Sequence, residues 1–402
     1  MKTSAWSWYD EDKIMDVTKF INPTVSAIKP SGIRKFFDLA SSMEDVVSLS
    51  IGEPDFDTPW HIRDIGIYSL EKGRTHYLAN AGLMELREEI TRYMYRRFSL
   101  AYETNQVLVT VGGSEAIDLA FRVLLSPGDE VIIPEPCFVC YEPLCRLAGA
   151  IPVKLETKAE DEFMVTPEGL EQAITEKTRL LVLSYPNNPT GAIMPEAAVR
   201  KLGEIVKKHD LYVVSDEIYA ELTYGGKHFS MAQIPELKDQ ILVVNGFSKA
   251  YAMTGWRLGF VCGHPEVVKM MTKLHQFGIM SASTTAQYAA VEALRNGDED
   301  VAAMREEYDD RRHIIVDGLR AIGCPCFEPR GAFYVFPDVR AFNMTSEAFC
   351  EALLREEHVA IVPGNAFGAP GEGFARVSYA SSLDNISKAL ERMERFTRKL
   401  RG

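Results

Sequence analysis

Between residues 107 and 244 the chain alternates short apolar runs with helical stretches, and this rhythm narrows the fold more than any other feature. The runs fall at residues 107–111, 130–134, 151–155, 180–184, 211–215 and 241–244. They are rich in Val, Ile and Leu and carry almost no polar alternation. Parallel strands buried on both faces have that pattern. The stretches between several of them, including 112–125, 167–174 and 195–209, have helical character and read as crossovers. Strand, crossover and strand again give β-α-β units, hence an α/β fold with a mostly parallel sheet flanked by helices.

The flanks read differently. Residues 1–49 look like an arm and a helix, with 33–40 amphipathic, followed by a short strand over 46–51. A loop rich in Pro and Asp follows, and Thr58 is placed to cap a helix opening at Pro59. Tyr77 sits in a polar loop before a strong helix over 83–98. Beyond about residue 265, helices over 267–295 and 300–321 precede strands at 332–336, 359–362 and 374–379 and a last helix over 383–400. That mixture suggests a smaller α+β domain. At 402 residues the chain is long enough for two domains.

The formal net charge of −13 disfavours nucleic acid as a main partner. No apolar run has the length of a membrane span. The start of the chain lacks the apolar core of a signal peptide, and seven cysteines without framework spacing suit reduced thiols, so the expected location is cytoplasmic. Cys137 and Cys140 form a C-x-x-C, with no nearby fourth ligand for zinc, so no metal site is expected. Cys324 and Cys326 fit alternation on a strand.

Several polar residues fall just beyond the ends of the expected parallel strands, where such sheets build their sites. Gly113, Ser114 and Glu115 open a helix whose N–H groups suit a phosphate, although Ser114 as a plain N-cap is the simpler reading. Phe138 is either core or a platform for a flat ring. Asn188, in Asn187-Asn188-Pro189-Thr190-Gly191, marks a turn or donates to a ligand oxygen. Asp216 suits a protonated ring nitrogen or caps a helix, and Glu217 is the competing acid. Tyr219 faces the same side if that segment is helical. Lys249 and Arg257 share a loop of small residues, with Ser248 beside them. Arg376, in the alternating segment 374–378, is an exposed edge residue or a fork for a carboxylate. Singly these signals are weak. Together they supply an amine, an acid for a ring nitrogen, a phosphate cradle, a stacking ring and a carboxylate clamp. That is what pyridoxal phosphate and an amino acid substrate require.

The motifs Gly52-Glu53-Pro54-Asp55-Phe56, Tyr77 to Gly82, Gly112-Gly113-Ser114-Glu115-Ala116, Asn187 to Gly191, Ser215-Asp216-Glu217-Ile218-Tyr219, 245–260, Pro363 to Gly368 and 374–378 stand in this order along the chain. In them the chain resembles the class I/II aminotransferases of fold type I, over essentially its whole length. It looks nearest the aspartate, aromatic and N-acetyl-diaminopimelate branch. The resemblance implies pyridoxal 5′-phosphate, with Lys249 forming the Schiff base and moving the proton. It implies Asp216 on the pyridine nitrogen, Tyr219 and Asn188 on the phenolate oxygen, and Phe138 stacked on the ring. Gly113, Ser114, Glu115, Ser248 and Arg257 would hold the phosphate, and Tyr77 would reach the phosphate of a neighbouring subunit in a homodimer. Arg376, assisted by the Gly52 backbone, would bind the substrate α-carboxylate.

The implied reaction passes an amino group from an α-amino acid to a 2-oxo acid, 2-oxoglutarate being the expected acceptor. The implied domains are an arm with part of the small domain (1–49), a large cofactor-binding domain (50–290) and a small domain (291–402). Two departures stand out: Gly246 replaces a serine found in many relatives, and Ser114 stands where some aspartate-preferring relatives have lysine. Apolar Ile28 and Ile33 lean toward an aromatic or aliphatic donor. The competing reading is a C–S β-lyase of the same fold. A DNA-binding regulator is disfavoured, since no basic helix-turn-helix segment precedes residue 50.

Overall fold

A seven-stranded sheet organises the computed structural model, which describes residues 16–30, 32, 36, 40 and 43–401. Its strands are β2 (Val107–Thr110), β3 (Glu130–Glu135), β4 (Ile151–Glu156), β5 (Thr178–Ser184), β6 (Tyr212–Asp216), β7 (Ile241–Gly246) and β8 (Gly259–Cys262), in the spatial order β2-β8-β7-β6-β5-β3-β4. Every neighbouring pair is parallel except the two that involve β8. Alternate residues of each strand feed opposite cores. Val107, Val109, Leu181, Val213 and Val243 belong to one cluster, while Leu108, Leu180, Val182, Val214 and Leu242 belong to another. Burial on both faces explains why these strands read as unbroken apolar runs.

Helices Gly112–Leu124, Tyr141–Leu147, Pro167–Ala173 and Glu196–Lys208 supply the crossovers. A third core gathers the C-terminal part. It is built from the helices Asp298–Ala321, Ser346–Glu357 and Leu383–Arg401 and from a three-stranded antiparallel sheet, β11 (Val362–Pro363), β12 (Ala375–Ser378) and β9 (Tyr334–Val335). The strand β1 (Val47–Ser48) pairs in parallel with β10 (Val359–Ala360). Residues 16–30 belong to a unit of their own. Within it, Asn22 accepts from the Thr24 N–H at the start of a short helix, Pro23–Ala27. Ile33 lies outside the described residues.

Five local expectations are corrected. Thr58 caps no helix; its hydroxyl donates to Ala252 O (2.6 Å) and accepts from Trp256 Nε1 (3.0 Å), while the helix Trp60–Glu71 starts without a side-chain cap. Ser114 is no N-cap, because its helix already begins at Gly112. The segment after Asp216 is a turn, not a helix, so the side-by-side placement of Tyr219 does not come from helical spacing. The apolar run 359–362 is two strands in different sheets, and Cys324 and Cys326 lie in an irregular segment rather than a strand.

Candidate active site

The strand register decides which residues meet. Ser184 pairs with Asp216, Asp216 with Val244, and Gly246 with Gly259, which itself pairs with Thr110. The carboxyl ends of β2, β5, β6 and β7 are therefore level, and the turns that leave them open onto one cavity of about 480 Å³. Gly113 and Ser114 follow β2, Phe138 and Tyr141 follow β3, Asn188 follows β5, Tyr219 follows β6, and Ser248 and Lys249 follow β7. Arg257 precedes β8, and Gly52, Tyr334 and Arg376 close the opposite side.

Lys249 is partly buried, and its Nζ donates to Gly52 O at 2.7 Å. Burial pushes the ammonium down to about 8, against the pull of Glu53 and with help from the positive charges of Arg376 and Arg257. A lysine in that state is a usable base and nucleophile near neutral pH.

Asp216 is buried at the end of β6. Its carboxylate accepts from the Ile218 N–H (3.2 Å) and from the Tyr141 hydroxyl (2.7 Å). Burial raises its pKa, and the Tyr141 and Ile218 bonds oppose the rise. Glu217, the competing acid, points to the other face of the sheet, as alternation requires. There it accepts from Ser215 and Ser230 Oγ and lies 2.9 Å from His228 Nε2.

At the other end, Arg376 is only 3% exposed. Nη1 donates to Asn188 Oδ1 (3.0 Å) and Nη2 to Ser50 O (2.5 Å), while Nε is buried without a partner. Its guanidinium stacks 4.7 Å from the Tyr334 ring centroid and 4.8 Å from that of Phe367. The edge-residue alternative for Arg376 is therefore excluded. Arg376 and Lys249 each donate to a backbone oxygen of the same segment, Arg376 to Ser50 O and Lys249 to Gly52 O, and Gly52 lines the cavity with them. Tyr219 and Tyr334 join hydroxyls at 2.8 Å. Asn188 precedes a cis peptide to Pro189.

The phosphate end is built from backbone. The helix Gly112–Leu124 aims its first N–H groups into the cavity beside Ser114 and Ser248. Arg257, at φ 52°, bends back over Gly112, where an added Cβ would lie 2.7 Å from Nη2. The Glu115 carboxylate turns away from the cavity. It accepts from the Val111 N–H and sits 2.9 Å from His275 Nδ1, so only its backbone N–H remains near the helix start. Phe138 lines the cavity, edge-on to Tyr141 with centroids 6.3 Å apart. Tyr77 lies outside this cavity, 82% exposed, in a loop whose neighbour His76 accepts from Thr284 Oγ1. Sequence reasoning overlooked Tyr141, Ser184 and Tyr334. The only signal for Tyr141 was its closeness in sequence to Phe138, in the segment that leaves β3.

These residues fit a phosphorylated pyridine aldehyde. Two observations carry the fit: a buried carboxylate held by two neutral donors, suited to a cationic ring nitrogen, and a buried guanidinium with an unpartnered N–H, suited to a carboxylate. Such a sheet, with a lysine, an acid and a phosphate cradle at its strand ends, defines the pyridoxal-phosphate-dependent transferases of fold type I. The chain belongs to the aminotransferase class I and II family, whose model matches residues 44–393, and it is an enzyme. Enzymes of this family use pyridoxal 5′-phosphate.

The chain is 50% identical over 384 residues to the putative aminotransferase YugH of Bacillus subtilis (strain 168), covering 95% of this chain and 100% of that protein. It is 43% identical to the probable N-acetyl-LL-diaminopimelate aminotransferase of the same organism, with 95% and 96% covered. Among solved structures, the aspartate aminotransferase of Thermus thermophilus with maleate superposes with a TM-score of 0.90 at 40% identity, covering 93% of this chain and 99% of that one. No helix among the described residues is long and apolar enough to cross a membrane.

Proposed function

We propose that the enzyme transfers the amino group of an α-amino acid to a 2-oxo acid, 2-oxoglutarate being the preferred acceptor, with Lys249 as the amine that carries the cofactor. The observation that supports this most is one cavity holding a partly buried lysine of lowered pKa, a buried acid and a buried, partly unpartnered arginine. Pyridoxal phosphate, when bound, supplies an aldehyde that captures amines and a ring that accepts the electrons released at the α-carbon.

The chain's own residues divide the remaining work. Arg376 fixes the donor's α-carboxylate through the guanidinium edge not used by Asn188 and Ser50. Asp216 holds a proton on the ring nitrogen, and the Tyr141 hydroxyl keeps the carboxylate charged and oriented. Lys249 Nζ takes the proton from the donor's α-carbon and supplies one to the acceptor's α-carbon in the second half of the cycle. Tyr219 and Asn188 serve the ring oxygen, Phe138 the ring face, and Gly113, Ser114, Glu115 N–H, Ser248 and Arg257 the phosphate.

Residues 50–290 form the cofactor domain in this reading, and 291–402 the domain that brings Arg376. The working unit is a homodimer in which Tyr77, free of the cavity in its own subunit, reaches the phosphate of the neighbour. The relatives' names include aspartate and aromatic amino acids as well as N-acetyl-LL-diaminopimelate, so the donor is assigned as a class.

The experiment is a spectral scan of the holoenzyme with amino donors, without acceptor, beside Lys249→Ala. We expect conversion of the bound cofactor by at least one donor, reversal by 2-oxoglutarate, and a loss of turnover of about 10⁴-fold or more in the variant. Normal turnover by Lys249→Ala, or steady pyruvate release from cysteine-type substrates without acceptor, would sink the proposal.

A further inference from the structure

Residues 50–57 approach the cavity from outside the main sheet. They contribute two backbone oxygens to it: Ser50 O accepts from Arg376 Nη2, and Gly52 O accepts from Lys249 Nζ. The two cations assigned to the substrate's carboxylate and α-carbon are thus both held by this one segment. Yet among the described residues no backbone–backbone hydrogen bond involves residues 50–57, the nearest upstream being those of Leu49 with Ala360 and Ser378. A loop without a backbone ladder is positioned by its side chains or not at all.

The side chain that anchors it most is Asp55. Arg311 Nη1 donates to both of its carboxylate oxygens, at 2.8 and 2.9 Å. Arg311 projects from the helix Asp298–Ala321 and is 5% exposed. Its Nε donates to Glu307 (3.0 Å), and its guanidinium lies 5.1 Å from the Phe56 ring centroid and 5.6 Å from that of Tyr308. Phe56 in turn meets Tyr308 edge-on at 5.3 Å. Desolvation strengthens an ion pair of this kind, and removing one partner leaves the other charge buried and uncompensated. Beyond it, Thr58 ties the end of the loop to Ala252 O and Trp256.

We infer that Arg311 is a positioning residue for the amino-acid site: through Asp55 it sets where Ser50 and Gly52 present their oxygens, and so where Arg376 and Lys249 stand when a substrate arrives. This rests on the amino-transfer reading of the cavity. Nothing in that reading assigns Arg311 a role, and Arg311 does not line the cavity. Of the groups assigned to the ring and phosphate, Gly113 and Ser114 open the helix after β2, Asp216 ends β6 and is held by Tyr141 and Ile218, and Ser248 follows β7, so the sheet rather than this loop positions them. Loss of the latch should therefore weaken the donor's hold far more than the cofactor's, which the sheet-end groups also carry.

The test uses purified holoenzyme carrying Asp55→Asn, Arg311→Gln, both together, or Arg311→Lys. The half-reaction is followed by cofactor absorbance with L-aspartate, L-phenylalanine and L-alanine. Cofactor affinity and melting temperature are measured on the same samples. Displacement of reacting groups by about 1 Å costs about a hundredfold, so we expect the half-saturating donor concentration to rise about ten- to a hundredfold in Asp55→Asn and Arg311→Gln. Cofactor affinity should stay within about threefold, the double variant should be no worse than the worse single one, and Arg311→Lys should recover part of the loss. Asp55 is partly exposed, so Asp55→Asn serves where Arg311→Gln does not fold. Unchanged half-saturation, or a loss confined to melting temperature and cofactor affinity, overturns the inference. If the wild type converts no donor in the full amino-donor scan, the amino-transfer reading fails and the latch with it. If the wild type converts one, Arg376→Leu loses it and the latch variants do not, only the latch falls.

Discussion

The two ends of the cavity are built by different means. The end assigned to ring and phosphate is a property of the large sheet: β2, β5, β6 and β7 stop level, and the turns beyond them place Gly113, Ser114, Asp216 and Ser248 with little freedom. The end assigned to the amino acid is assembled from far-separated segments. Arg376 comes from the small antiparallel sheet, Asn188 from a turn after β5, and Ser50 and Gly52 from a loop with no backbone ladder. Backbone geometry defines the first end, and side-chain hydrogen bonds define the second. An end of the first kind suits a resident ligand, and one of the second kind suits a ligand that exchanges in each cycle.

Arg376→Leu attacks the assembled end alone and should have the largest effect of the substitutions that spare Lys249. It deletes a buried cation and leaves Asn188 Oδ1 and Ser50 O without their donor. Removing one member of a buried charged hydrogen-bonding set costs about 2–5 kcal/mol, so kcat/KM should fall on the order of 10²–10³-fold. Equilibrium dialysis should find cofactor affinity nearly unchanged. Parallel loss of cofactor would show that the two ends are not separable.

Tyr141→Phe strikes the sheet-built end through its acid. The hydroxyl donates to Asp216 at 2.7 Å and also lies 2.9 Å from Ser184 Oγ, where it can accept. A hydrogen bond to a charged group contributes about 1.5–3 kcal/mol. Without it, burial raises the Asp216 carboxyl further and weakens its hold on a ring proton. Cofactor affinity should drop about tenfold or more, and the pH at which the bound cofactor changes absorbance should move. An effect on donor half-saturation alone would contradict the division of the cavity.

The two ends also differed in how far they could be read from sequence. Parallel strands buried on both faces appear as continuous apolar runs, so the sheet and the residues just past its strand ends were legible. Lys249, Asp216, Arg257 and Ser248 were found for that reason, since a strand end is a local feature. Tyr141 was missed because a tyrosine in a short apolar helix looks like core until its hydroxyl is seen on Asp216. The run 359–362 looked like one strand because its apolar pattern is unbroken. It divides at Ile361 only because Val359 and Ala360 pair with β1 while Val362 pairs with Arg376. The Asp55–Arg311 pair spans 256 positions, and no periodicity or motif links residues so far apart.

Gly246 is the position of the sheet-built end where the resemblance implies a serine. Its place in the structure argues against simple loss of a hydroxyl. A Cβ on Gly246 would lie 2.9 Å from Gly259 Cα, 3.0 Å from Ile218 Cδ1 and 3.1 Å from Leu258 O. A Cβ on Gly259 would in turn meet Gly112 C at 2.7 Å and Gly113 N at 2.9 Å. The absence of side chains at these positions lets β7, β8 and the start of the helix Gly112–Leu124 approach closely. That closeness fixes the distance from the helix N–H groups to Ser248 and Arg257. Gly246→Ala should therefore cost about 1–3 kcal/mol in stability as an overpacked site, read as a lower melting temperature of the apoprotein. It should also loosen the cofactor by about tenfold or less, with donor half-saturation unchanged. Gly246→Ser should behave the same way, because the clash begins at Cβ. If the serine variant instead bound cofactor more tightly than the wild type, backbone approach would not define this end, and an added hydroxyl would be worth more than the contact it disturbs.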